Sequence, residues 1–294
     1  MHETYEDCPL YEQSQFGFDT HTQIILTYRI SDYDRLARKA LHDFRTSIRP
    51  EGLISMRYPA HTNVVFPGFS PFYPMMVHDH VVYRGDRVLA RRYFSIIGAI
   101  RDHFDRKLTP TGLGGKFNPR HRSCVDWVKD WHLGIPPAAR CGPGTYFSLT
   151  YSMALDSAAQ VAEYIGRPAM AKEYLARKSA VLRAVNLQCF DGQWYFDGPI
   201  ADKLTPPSDW RRQHCQIYAI LSRAILGEEA RNLMRRTLED GSLHKTSLAQ
   251  SFYLFRALEK TGLYETDNRP VGNVAEHVAP EPGYMARGAR ASEE

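Results

Sequence analysis

The stretch "YRGDRVLARRYFSIIGAIRDHF", residues 83–104, decides the architecture. Leu89, Tyr93, Ile96, Ile97, Ile100 and Phe104 recur at helical spacing, which puts them on one buried face of an amphipathic helix. The "YRGD" that precedes them is a turn signal. A short link between two helices forces them antiparallel, so this segment reads as half of a helical hairpin.

The same grammar repeats on both sides. "RLARKALHDF" carries Leu36, Ala40, Leu41 and Phe44 on one face, and "FSLTYSMALDSAAQVAEYIG" carries Met153, Ala154, Ala158, Val161 and Ile165. Further stripes are Leu175, Val181, Leu182 and Val185; Ile217, Leu221 and Ile225; and Leu248, Phe252, Phe255 and Leu258. Turn signals at 30–34, 165–168 and 226–229 join the one at 83–86. Longer loops rich in Pro, Gly and aromatic residues run over 50–74, 108–145 and 188–211. Tight turns alternating with long loops predict an all-α chain of about nine helices whose hairpins form an α/α toroid, with the long loops gathered at one end. Residues 264–294 lose apolar periodicity and read as a disordered tail to a domain over 1–263.

Composition excludes several classes. Of 294 residues 43% are hydrophobic, and 37 basic side chains balance 33 acidic ones without forming a basic stripe, so nucleic acid is not an expected partner. No apolar run approaches a membrane span and the first residues are acidic and aromatic, so a cytoplasmic protein is expected of the sequence as written. Cys8, Cys124, Cys141, Cys189 and Cys215 are scattered and lack CxxC spacing, which predicts reduced structural thiols. His78 and His80 flank Asp79 two apart, without the i, i+4 spacing of a helical zinc site, and no metal or cofactor is expected. Gly112, Gly114, Gly115 and Lys116 miss the spacing of a phosphate loop.

Two stretches carry candidate chemistry. In "HETYEDCPLYEQSQFGFD", residues 2–19, Asp7, Glu12 and Asp19 surround a Cys-Pro turn among Tyr5, Tyr11, Phe16 and Phe18. Carboxylates beside aromatic rings suit glycoside hydrolysis, which needs one protonated acid for the leaving oxygen and other groups for hydroxyls and developing positive charge. A solvated acidic terminus is the alternative. In "SCVDWVKDWHLG", Trp127 and Trp131 with Asp126 and Asp130 can grip a sugar ring, or pin a loop to the core. Phe66, Phe69, Phe72 and Tyr73 read better as core.

Together "TYEDCPLYEQSQFGFD", "PRHRSCVDWVKDW", "WYFDGP" with "RQHCQIYAILS", and "SLAQSFYLFRALEKTGL" resemble the catalytic domain of bacterial and fungal α-L-rhamnosidases of glycoside hydrolase family 78, from about residue 2 to residue 263. The resemblance implies an (α/α)6 six-hairpin barrel and inverting release of terminal L-rhamnose. It puts Glu12 at the general acid, Asp7 and Asp19 at flanking sugar-binding carboxylates, and Asp126 with Trp127 at a further rhamnose contact, beside which Trp131 is a candidate. The family's general base lies in a Trp-x-Glu-like segment beyond the last hairpin recognised here. No such segment follows Leu263, and Glu265, Glu276 and Glu281 do not take the role, so the base is unassigned. Tyr11 and Phe16 stand where many relatives have Arg and Trp.

The resemblance also implies a barrel truncated at both ends, whose uncovered helix faces predict poor solubility or association with a partner fragment. Two other functions remain open at this stage: a catalytically inactive sugar-binding or scaffold homologue, and another (α/α) toroid enzyme such as an epimerase.

Overall fold

Residues 3–62, 64–128, 131–201 and 207–265 are described by the structure, a computed structural model. Helices α1 (Gly17–Ile30), α2 (Arg35–Thr46), α3 (Phe72–Arg84) and α4 (Arg87–Asp105) form two antiparallel pairs. A single turn, α5 (Pro137–Cys141), interrupts the next long loop. Then α6 (Thr145–Tyr164) pairs with α7 (Pro168–Gln188), α8 (Gln213–Ser222) pairs with α9 (Gly227–Glu239), and α10 (Ser251–Thr261) follows.

Local chemistry sets the turns. After α3, Gly85 takes φ +64 and its N–H reaches Val81 O at 2.9 Å, a left-handed cap that favours glycine. The next residue, Asp86, accepts the Leu89 N–H at 2.9 Å and starts α4. Pro168 at the head of α7 uses the position where a missing N–H costs nothing.

Helices α1, α3, α6, α8 and α10 form the inner layer, with α3 on α1 and α6, α6 on α8, and α8 on α10. Their partners α2, α4, α7 and α9 lie outside. Outer helices bury one stripe, such as Ala37, Ala40, Leu41 and Phe44 of α2. Inner helices are covered on several sides, and α6 buries residues around nearly its whole circumference. The single stripe expected for α6 is therefore too narrow. On α10 the inward face is Tyr253, Leu254, Ala257 and Leu258, while Phe252 and Phe255 are half-buried and Leu248 precedes the helix, exposed. The stripe expected over 217–225 is broken where Arg223 turns left-handed at the end of α8.

Aromatic rings fill the axis of this inner layer. Phe18 of α1 lies 5.1 Å from Phe72 of α3 and 5.5 Å from Tyr253 of α10, and Tyr253 lies 5.3 Å from Tyr218 of α8. His21 closes the circuit through its Nδ1, 2.7 Å from the Tyr253 hydroxyl. Toward the tight-turn end the axis widens into a polar cavity of about 450 Å³ whose lining includes His78, Asp79, Asp156, Lys178, Arg256 and Lys260. The His-Asp-His segment serves this interior: Asp79 binds His21 at 2.9 Å and His78 at 3.1 Å, and those contacts hold its buried carboxyl well below the usual range. On α1, Leu26 and Ile30 are one turn apart and 51% and 85% exposed.

Among the described residues no helix is long and apolar enough to cross a membrane, and no His, Cys, Asp and Glu cluster could hold a metal ion. Cys8, Cys124 and Cys215 are free thiols, Cys189 is buried, and burial pushes Cys124 up to about 12. Phe66, Phe69, Phe72 and Tyr73 are buried in the core. Most of the tail assigned to 264–294 lies outside the described residues, as does Asp130.

Candidate active site

The N-termini of the inner helices emerge from the long loops, and the candidate residues collect at that end. The Cys-Pro turn is closed by a pair of bonds: Asp7 N–H donates to Ser14 O at 3.0 Å, and Ser14 N–H donates to Asp7 Oδ1 at 3.0 Å. Inside it the Glu12 N–H meets Cys8 Sγ at 3.3 Å and Gln13 adopts φ +47, with its side-chain amide on Pro9 O at 2.8 Å. This knot holds Glu12 out at the surface of the loop. Only at Gly17 can α1 begin, where the Gly17 N–H bonds Met56 O at 3.0 Å.

Asp7, Glu12, Asp19 and Asp126 act on one another electrostatically. Glu12 is raised first by partial burial and then by its interaction with the Asp7 carboxyl, against the opposing pull of Arg57. Asp19, in the first turn of α1, is pushed up to about 7, first by burial and then by the negative charges of Asp7, Glu12 and Asp126. Such a group holds its proton near neutral pH, while its neighbours supply negative charge.

Asp126 comes from a different hairpin and is buried. Its Oδ1 accepts the Trp127 N–H at 2.8 Å, and its Oδ2 accepts His214 Nε2–H at 2.7 Å and the Ser247 N–H at 2.8 Å. The loop carrying it is pinched shut by Val125 N–H on Gly134 O at 2.8 Å. Gly134 has φ +71, and a Cβ there would sit 2.6 Å from Cys124 Sγ, so this position requires glycine.

The two tryptophans part company, because this segment is a loop and not a regular helix. Trp127 is 55% exposed at the rim, whereas Trp131 is 4% exposed. The Trp131 ring lies 4.9 Å from His214 and 5.7 Å from the guanidinium of buried Arg212, so neighbours occupy it. Arg212 in turn stands 3.5 Å from Asp197, whose carboxyl burial pushes up to about 6 against the lowering pull of Arg212. His214, Arg212 and Asp197 were given no role by sequence reasoning. The available signal was the polar cluster Arg212, Gln213 and His214 opening an otherwise apolar helix, beside an aspartate in an aromatic strip.

The family model for the bacterial alpha-L-rhamnosidase 6 hairpin glycosidase domain matches residues 1–196. Among solved structures, the GH78 rhamnosidase of Bacillus sp. GL1 aligns over 93% of this chain and 28% of its own, with TM-score 0.78 and 20% identity. A rhamnosidase from Klebsiella oxytoca with rhamnose bound aligns over 92% of this chain and 50% of its own, with TM-score 0.76 and 16% identity. A GH63 mannosylglycerate hydrolase from Thermus thermophilus, in complex with glucose, aligns over 92% of this chain and 86% of its own, with TM-score 0.61 and 14% identity. At these identities the structural likeness establishes the fold, a six-hairpin toroid of which the described helices form four hairpins and one further helix. The chain spans half or less of the length of the two rhamnosidases named here. No curated protein sequence matches. On the match over 1–196 and the helical toroid around these carboxylates, the chain belongs to the bacterial α-L-rhamnosidase six-hairpin glycosidase family.

Proposed function

We propose that this chain carries the acid side of an inverting α-L-rhamnoside hydrolase site, with Glu12 as general acid. The observation that supports it is the raised Glu12 carboxyl beside Asp7, within a cluster completed by Asp19 and Asp126. A protonated Glu12 donates to the glycosidic oxygen as the C1–O bond breaks, and the neighbouring negative charges stabilise the oxocarbenium-like transition state. Asp7, Asp19 and Asp126 take ring hydroxyls, and the exposed face of Trp127 stacks on the sugar. Trp131 supports this wall from behind through His214. The reading needs no cofactor or metal, and its substrate is a rhamnosylated small molecule or oligosaccharide.

Inversion requires a second carboxylate across the sugar, and that role is assigned to no residue of this chain. A site with the acid alone binds rhamnose without hydrolysing it, so one assay separates hydrolase from sugar-binding homologue. Purified protein is offered an aryl α-L-rhamnoside while L-rhamnose binding is followed by calorimetry. Turnover that falls about 10²–10⁴-fold in Glu12→Gln, with rhamnose still bound, is the result expected of a hydrolase. Binding without turnover identifies the inactive homologue, and neither binding nor turnover overturns the assignment.

A further inference from the structure

Asp126 and His214 are 88 residues apart in sequence, both buried, and 2.7 Å apart through Oδ2 and Nε2. A carboxylate oxygen in this contact accepts, so Nε2 carries the hydrogen. His214 Nδ1 is buried and has no hydrogen-bond partner among the described residues. The imidazole plane is set by Trp131 at 4.9 Å, and Trp131 is held under the Arg212 guanidinium. The residue next to His214 fastens the neighbouring loop: Gln213 N–H bonds His244 O at 3.1 Å, and Gln213 Oε1 accepts the Thr246 N–H at 2.9 Å. One residue further, the Ser247 N–H reaches Asp126 Oδ2 at 2.8 Å. The first turn of α8 thus grips two separate loops, and Asp126 is where they meet.

An ionised carboxylate offers about four acceptor sites. Three at Asp126 are taken by Trp127, His214 and Ser247, two of them on Oδ2. Among the described residues Oδ1 keeps one free, and its direction depends on how firmly Oδ2 is held.

We propose that His214 is a positioning residue: by donating Nε2–H to Asp126 it aims the free Oδ1 acceptor at a hydroxyl of the bound pyranoside and so sets the affinity of the site for the sugar. This rests on the rhamnoside reading above.

Two variants separate the hydrogen bond from ring packing. His214→Gln keeps a donor at about the Nε2 position and loses the ring, whereas His214→Phe keeps the ring and loses the donor. L-Rhamnose affinity is measured by calorimetry on folded protein, and the Ser247 amide proton is followed by NMR as a reporter of Asp126 placement. The expected result is binding weakened about tenfold or more in His214→Phe with a moved Ser247 signal, and binding within about threefold of the parent in His214→Gln. The opposite order, or an unmoved Ser247 signal in His214→Phe, overturns the proposal. If the parent protein itself does not bind rhamnose, the site reading fails, and the Ser247 signal still decides whether His214 positions Asp126.

Discussion

Asp7 and Glu12 face each other electrostatically across the Cys-Pro turn. The presence of Asp7 favours the protonated form of Glu12. Asp7→Asn removes the repulsion, so Glu12 should release its proton at lower pH. The alkaline limb of any rhamnosidase activity would move toward acid, and a ¹³C titration of the Glu12 carboxyl would shift the same way. An unchanged Glu12 titration in Asp7→Asn would show the two carboxyls to be uncoupled.

Asp19 makes the fold itself sensitive to pH. Its carboxyl rises from 3.8 to about 7 on folding, so the folded state binds more protons between those values. Stability from this group is present at low pH and is lost as pH rises toward 7, by up to roughly 4 kcal/mol. Asp19→Asn cannot ionise and should therefore gain stability over the parent protein at pH 8 but not at pH 4. Urea midpoints of the two proteins that stay parallel from pH 4 to 8 would contradict this.

Trp127 and Trp131 should answer differently to truncation. Trp127→Ala removes an exposed face and should weaken rhamnose binding by about 0.5–1.5 kcal/mol with little change in melting temperature. Trp131→Ala opens a hole against His214 and Arg212 and should cost about 3–5 kcal/mol of stability. Equal loss of stability in both variants would refute this division of roles.

Gly134→Ala tests the loop that carries Asp126. The φ of +71 and the clash with Cys124 Sγ predict a loss of about 1–3 kcal/mol, read as a lower urea midpoint. Rhamnose affinity should fall with it, because the Asp126 carbonyl oxygen is also only 3.0 Å from the added carbon.

The parts legible in the sequence were those encoded over short distances. The Gly85–Asp86 turn and the stripe of α2 follow from neighbours a few residues away, and so does the crowding of Asp7, Glu12 and Asp19. Inner helices were read less well, because a helix covered on several sides has no single stripe: α6 shows this, and on α10 Phe252 and Phe255 yielded the interior to Tyr253. Tyr253 was hidden because its hydroxyl finds His21, 232 residues away. His214 was illegible for the same reason, since its meaning depends on Asp126 in another hairpin.

The aromatic plug of Phe18, Phe72, Tyr218 and Tyr253 couples distant parts of the chain. These four rings come from four different inner helices, and Phe18 is next to Asp19 in the first turn of α1. The plug therefore fastens the turn that carries Asp19 to α3 and α10, so a ring truncated far along the chain, at Tyr253, would be felt at that carboxylate.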